Sequence, residues 1–92
     1  MNKYLIKIKV NSYVQATIVE ANSQKDAKHM AKEWAKSLYD SLSTTEGFFS
    51  REDARVELIH SDEPEVTEEM IDYYYAKMRA SYISYSATPI VN

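Results

Sequence analysis

Residues 3–21 read KYLIKIKVNSYVQATIVEA and contain two candidate β-strands. Apolar side chains alternate with mostly charged ones along residues 3–10, which is the period of a β-strand with one buried face. The apolar face holds Tyr4, Ile6, Ile8 and Val10. Asn11 and Ser12 then interrupt the pattern, and Asn tolerates the left-handed backbone of a tight turn. Residues 13–21 are rich in β-branched side chains, so the whole stretch predicts a β-hairpin.

The second strand of this hairpin carries apolar side chains on both faces. Val14, Ala16 and Ile18 alternate with Thr17, Val19 and Ala21. We expect the strand to be either central in the sheet or partly uncovered. An uncovered apolar face favours association, so the C-terminal tail or a second copy of the chain is the expected cover.

A long amphipathic helix is predicted over residues 24–42. Ser23 is placed to accept a hydrogen bond from the Asp26 amide, and the Asp26 side chain to reach back, as in a capping box. Apolar residues then recur at helical spacing: Ala27, Met30, Ala31, Trp34, Ala35, Leu38 and Leu42. The alanines allow the helix to lie close to a sheet, and Trp34 and Leu38 are expected to supply most of its buried area.

The C-terminal half is predicted to contain a loop, a third strand and a second helix. Residues 43–53 form the loop, and residues 54–60 alternate as a strand with Val56 and Leu58 directed inward. The second helix begins at Thr67, with acidic residues in its first turn. Its apolar stripe holds Ile71, Tyr74, Tyr75, Met78 and Tyr82. Residues 83–92 are either an edge strand or an extended C-terminal arm.

The order strand, strand, helix, strand, helix predicts an α+β fold. We expect a two-layer sandwich in a single domain, residues 1–92, with a three-stranded, mainly antiparallel sheet and two helices. Two pairings of the third strand stay open. It is either parallel to the second strand, through a crossover by the first helix, or paired with the first strand.

The composition excludes several classes of function. The chain has 92 residues, no cysteine and one glycine. Without cysteine it is neither a disulfide scaffold nor a thiol enzyme, and one glycine is too few for a phosphate-binding loop or a dinucleotide motif. The two histidines, His29 and His60, lack a nucleophile or metal-ligand motif around them. We therefore expect a non-enzymatic protein that needs no cofactor or metal.

The sequence also bears on location. No apolar run approaches the length that spans a bilayer. Lysines interrupt the apolar stretch near the N-terminus, which is not typical of a secretory signal. We expect a cytoplasmic protein.

Charge is distributed unevenly along the chain. Residues 1–36 hold seven Lys and three acidic residues, whereas residues 37–92 hold four basic and eleven acidic residues. The segment 57–72 has no Lys or Arg and contains Glu57, Asp62, Glu63, Glu65, Glu68, Glu69 and Asp72. Fixed carboxylates of this kind steer a protein towards a basic surface. The acidic segment is therefore either a solvated surface or a docking site for a nucleic-acid-binding protein.

Aromatic residues near the acidic segment are candidate anchors for such a partner. Tyrosine offers a large, rigid contact area at low entropic cost and is enriched at interface hot spots. Tyr73, Tyr74 and Tyr75 cover most of the circumference of the second helix, so Tyr73 is expected to point away from the core. The predicted anchors are Tyr73, Tyr82, Phe48 and Phe49.

Lysines form a second, opposite signal. Lys25, Lys28, Lys32 and Lys36 recur at spacings of three and four and line one stripe of the first helix. Lys3, Lys7 and Lys9 project from one face of the first strand. These residues either keep the domain soluble or contact phosphates, in which case affinity falls with salt.

The hairpin followed by VEANSQKDAKHMA (residues 19–31) and a long alanine-bearing helix resembles small phage-encoded anti-CRISPR inhibitors of type I surveillance complexes. The resemblance implies a protein that binds subunits of the Cas effector complex in the host cell and keeps target DNA from binding. It carries no individual functional residue over to this chain. Two alternatives stay open: direct binding of a nucleic-acid backbone by the lysine stripe, and a homo-oligomeric structural module.

Overall fold

A computed structural model of the chain describes residues 1–61 and 64–91. The elements run in the order β1 (Asn2–Val10), β2 (Tyr13–Ala21), α1 (Gln24–Leu42), α2 (Arg51–Ile59), α3 (Glu68–Tyr82) and β3 (Ile83–Pro89). The predicted α+β class with a three-stranded antiparallel sheet is confirmed, as are the first two strands and the helix over residues 24–42. The described chain has three helices rather than two.

The sheet has the strand order β2-β1-β3, and both pairings are antiparallel. The first two strands are joined by a two-residue turn in which Asn11 adopts a positive φ of 52°, as its position predicts. Neither pairing that the sequence left open applies, because both concerned the predicted strand at residues 54–60, which is helical. The observed third strand, β3, pairs with β1. It is formed by the C-terminal tail, so the edge-strand alternative for residues 83–92 is correct over Ile83–Pro89.

One face of the sheet packs against α1 and forms the core. Ile6 and Ile8 of the central strand are 2% and 1% exposed, and burying each such side chain contributes roughly 1.5–3 kcal/mol. The alanines of α1 at positions 27, 31 and 35 are fully buried and let the helix lie close on the sheet, as predicted. Ser23 caps this helix by accepting a hydrogen bond from the Asp26 amide at 3.1 Å.

The predicted strand over residues 54–60 is wrong, because residues 54–59 belong to α2 and His60 is its C-cap. Ser50 and Asp53 form a complete capping box: the Ser50 hydroxyl accepts from the Asp53 amide, and the Asp53 carboxylate accepts from the Ser50 amide. This cap lies within the stretch 43–53 that was predicted as loop, and it starts a helix at residue 51. Val56, predicted to point inward, is 44% exposed.

The molecule is elongated, with principal extents of 57 × 24 × 16 Å. Its radius of gyration is 16.2 Å, whereas a compact domain of this length has about 12 Å. The cause is α2, which packs chiefly on α3 and not on the sheet. We call residues 51–77, which contain α2 and most of α3, the acidic hairpin.

Candidate interaction surfaces

The two helices of the acidic hairpin are joined by an arginine clamp that the sequence did not predict. Arg51 of α2 donates to Asp72 and to Glu68 of α3, both at 2.8 Å. Arg55 also reaches Glu68, at 3.2 Å. Hydrogen bonds from Arg51 and then Arg55 hold the pKa of the Glu68 carboxyl below its usual value. Two carboxylates of the predicted docking set are thus paired within the chain.

Another predicted docking carboxylate, Glu57, is also engaged by its own chain. It accepts a hydrogen bond from the Tyr74 hydroxyl at 3.0 Å, and this bond raises the pKa of Tyr74. The two partners lie on α2 and α3, so the contact is a second link across the acidic hairpin. Glu57 therefore has a structural role that its position in an acidic run does not reveal.

Two predicted docking carboxylates stay available to a partner. Glu65 and Glu69 are exposed, and neither forms an ion pair with another residue in 1–61 or 64–91. The remaining two, Asp62 and Glu63, lie outside the described residues. Of the described carboxylates in this set, three have partners within the chain: Glu57, Glu68 and Asp72.

An apolar groove of about 460 Å³ lies between the helices of the acidic hairpin. It is lined by Leu58, Thr67, Glu69, Met70, Tyr73, Tyr74 and Lys77. Tyr73 at its edge is 71% exposed, so its predicted direction away from the core is confirmed. Two further apolar side chains of α2, Val56 and Ile59, are also exposed. Apolar and acidic groups are therefore adjacent on this part of the molecule.

The other three predicted anchors pack within the chain around Tyr39. The Tyr39 side chain is fully buried, and its ring centroid lies 5.3 Å from that of Phe48 and 6.2 Å from that of Tyr82. Its hydroxyl donates to the carbonyl of Phe49 at 2.7 Å and accepts from the Phe49 amide at 3.0 Å. The Phe49 ring packs edge-on against Tyr74. Of the predicted anchors, Tyr73 is thus the one whose ring is mostly exposed.

A polar cluster links the end of α1 to α3. Asp40 accepts hydrogen bonds from Tyr75 at 2.6 Å and from Arg79 at 2.9 Å. Burial, and then the bond to Asp40, raises the pKa of Tyr75 to about 12. This cluster and the Tyr39 contacts attach the base of the acidic hairpin to the α/β body.

The predicted lysine stripe lies on the outward side of α1. Lys25, Lys28 and Lys32 are exposed, while Lys36 is half-buried and lies 3.6 Å from Glu33. The sequence prediction of an outward stripe is therefore correct in its placement, and its binding role stays a prediction.

The described residues contain no group of three side chains able to hold a metal ion. Within the same ranges, no helix is long and apolar enough to cross a membrane. Comparisons with protein-family models, with curated proteins and with solved structures found no match.

Proposed function

We propose that this protein is a non-enzymatic inhibitor that docks its acidic hairpin on a basic surface of a protein that handles nucleic acid. By occupying that surface it keeps the nucleic acid from binding. A type I surveillance complex is a defined first target for this proposal, since it is the target implied by the resemblance of the β-hairpin, residues 19–31 and the long helix.

The observation that carries the proposal is the separation of charge along an elongated molecule. Residues 51–77 contain nine Asp and Glu against three Lys and Arg, whereas the rest of the chain contains five against eight. The acidic hairpin therefore has a formal charge of −6 and the body one of +3. A negative end that projects from the body is suited to enter a basic cleft, because complementary charge speeds encounter and excludes wrong partners.

The apolar groups of the acidic hairpin supply the second element of an interface. Charged rims contribute mainly to steering, whereas buried aromatic side chains contribute most of the affinity. Tyr73 is 71% exposed and Ile59 is 58% exposed, and the exposed carboxylates Glu65 and Glu69 belong to the same acidic hairpin. We infer that Tyr73 is the anchor and that these two carboxylates face basic residues of the partner.

The proposal is tested by capture from a nuclease-treated bacterial lysate, followed by competition with the captured partner. The variant is Glu65→Lys with Glu69→Lys, which leaves the arginine clamp intact. The matched control is Glu20→Lys with Glu46→Lys, which makes the same change of net charge at two exposed positions outside the hairpin. We expect the hairpin variant to lower affinity by more than about tenfold, because each reversal sets like charges opposite one another.

The wild-type protein should also displace a labelled oligonucleotide from the captured partner, and Tyr73→Ala should weaken that displacement. Equal capture by the hairpin variant and its control would show that the acidic hairpin is not the docking site. A partner that keeps its oligonucleotide at saturating protein would contradict the inhibitory role.

A further inference from the structure

We propose that the uncovered face of the sheet binds the backbone of single-stranded nucleic acid. This proposal concerns the body of the protein and does not rest on the function proposed for the acidic hairpin. The face, which we call the open face, consists of every second residue of each strand. Its members are Lys3, Leu5, Lys7 and Lys9 of β1, Val14, Ala16, Ile18 and Glu20 of β2, and Ser84, Ser86 and Thr88 of β3.

The strand register sorts the open face into three parallel rows. Lys7 lies opposite Ala16 on one side and Ser86 on the other. Residues directly opposite in an antiparallel pair project from the same face. A lysine row on the central strand is thus flanked by a mainly apolar row on β2 and a hydroxyl row on β3. Neighbouring rows are about 4.8 Å apart. Lys7 and Lys9 are separated by about 6.8 Å, and Lys3 and Lys7, which have Leu5 between them, by about 13.6 Å.

The lysine row carries charge that the protein itself does not neutralise. Lys3, Lys7 and Lys9 are exposed, and among the described residues none of them forms an ion pair. Glu20, opposite Lys3, is the carboxylate of this face. Three like charges along one strand repel one another, so an anionic ligand that bridges them is favoured.

Apart from the half-buried Leu5, the rest of the open face is also exposed, although it contains large apolar groups. Val14 is 61% and Ile18 is 60% exposed. The C-terminal tail, an expected cover for these residues, extends the sheet as an edge strand instead of folding over it. Among the described elements, α1 packs on the opposite face, so the open face is accessible along its length.

The chemical groups of a single nucleic-acid strand are complementary to these rows. Its phosphates are anionic and lie along one edge, where the lysines would pair with them and the hydroxyls of Ser84 and Ser86 would donate hydrogen bonds. Its sugars and bases are less polar and would lie over Val14 and Ile18. The lysine row is a single line along one strand, which fits one backbone rather than the two of a duplex.

The composition of the open face indicates which interactions would contribute to binding. The register assigns no aromatic side chain to it, and stacking on aromatic rings is what gives many single-strand binders their affinity. Binding should therefore be electrostatic, moderate in strength and tolerant of sequence. If three lysines each neutralise a phosphate, the logarithm of the affinity should fall with the logarithm of salt concentration with a slope of about −2.

The experiment measures fluorescence anisotropy of a labelled oligothymidylate of about 16 nucleotides, a length in the range of known single-strand sites, at several salt concentrations. The variant is Lys7→Glu with Lys9→Glu. The matched control is Lys25→Glu with Lys28→Glu, which makes the same charge change on α1. We expect more than about a tenfold loss for the sheet variant and less than about a threefold loss for the control.

Amide chemical shifts provide a second measurement on the unmodified protein. They should change on β1, β2 and β3 when the oligonucleotide is added, and not on α1. Circular dichroism establishes that both variants are folded. The hairpin variant Glu65→Lys with Glu69→Lys should keep its affinity for the oligonucleotide, so a failure of this proposal is distinguishable from a failure of the proposed function.

Several results would overturn the proposal. The first is no binding of the oligonucleotide at low salt. The second is an equal loss of affinity in the sheet variant and its α1 control. The third is a duplex of the same length that binds as tightly as the single strand. Salt-sensitive self-association in analytical ultracentrifugation that Lys7→Glu with Lys9→Glu abolishes would show that a second copy of the chain occupies the open face instead.

Discussion

Replacing Tyr39 by phenylalanine should destabilise the protein, although it removes a single oxygen atom. The ring keeps its place among the aromatic side chains of the core. The two hydrogen bonds that the hydroxyl makes with the Phe49 backbone, at 2.7 and 3.0 Å, are lost. These bonds hold the loop between α1 and α2 against the core, just before the Ser50 cap.

The expected loss in the free energy of unfolding follows from the two hydrogen bonds that are removed. Each hydrogen bond contributes about 0.5–1.5 kcal/mol net, so Tyr39→Phe should lower the free energy of unfolding by about 2 kcal/mol. For a domain of this size the melting temperature should fall by roughly 8–16 °C. Phe49 is half-buried, so water replaces part of the lost bonding and the effect should not exceed this range.

The assay is urea denaturation followed by circular dichroism, with thermal melting as a second measurement. Tyr73→Phe is the matched control, because its hydroxyl makes no hydrogen bond with a described residue and its side chain is 71% exposed. The control should lie within about 0.5 kcal/mol of the wild type. A Tyr39→Phe variant as stable as this control would show that the two hydrogen bonds to the Phe49 backbone do not stabilise the fold.

Two further predictions concern the cap of α2 and the tyrosine at the base of the acidic hairpin. Ser50→Ala removes half of the capping box with Asp53 and should cost about 1 kcal/mol in urea denaturation; the exposed Ser37→Ala on α1 is the control, and an equal effect of both would contradict the role of the cap. The pKa of Tyr75 is raised from the usual 10.0 to about 12, so its protonated form stabilises the fold fully below pH 10. That contribution should be lost as pH rises from 10 towards 12, and Tyr75→Phe should remove this part of the pH dependence; an unchanged pH profile would show that Tyr75 ionises normally.

The sequence correctly predicts the strands and helices whose patterns depend on residues close together in the chain. In residues 3–21, apolar and polar side chains alternate along two segments separated by Asn11 and Ser12. Both strands and the turn lie where this pattern predicts them. The helix over 24–42 begins after Ser23 and has its alanines buried. The helix that begins after Thr67 was predicted for the same reason, since a cap and a periodic apolar stripe are read from a few neighbouring residues.

The predicted strand at residues 54–60 is wrong because the apolar residues of this short segment fit both the period of a helix and the period of a strand. Ala54 and Leu58 are four residues apart, which suits a helix, while Val56 and Leu58 suit a strand. In so short a segment the apolar pattern does not distinguish the two. The capping box at Ser50 and Asp53 was the signal that would have decided it.

The sequence predicts how many charged residues each part of the chain contains, but it does not predict which of them form ion pairs. The acidic segment 57–72 is rich in carboxylates, yet Arg51 and Arg55, just outside it, engage Glu68 and Asp72. These partners are 13 to 21 residues apart in sequence, and only the packing of α2 on α3 brings them together. The folded chain therefore provides intramolecular partners for Glu68 and Asp72 that the sequence pattern does not indicate.

The residue pattern was sufficient to predict the β-hairpin of residues 3–21, helix α1 and the opposite charge of the two parts of the chain. Folding of the whole chain was needed to show that the C-terminal tail joins β1 as the edge strand, that α2 packs on α3 rather than on the sheet, and that one face of the sheet stays open. The difference lies in the range of the interactions. Alternation and capping depend on neighbours in sequence, whereas strand pairing and ion pairing depend on residues that are brought together only when the whole chain has folded.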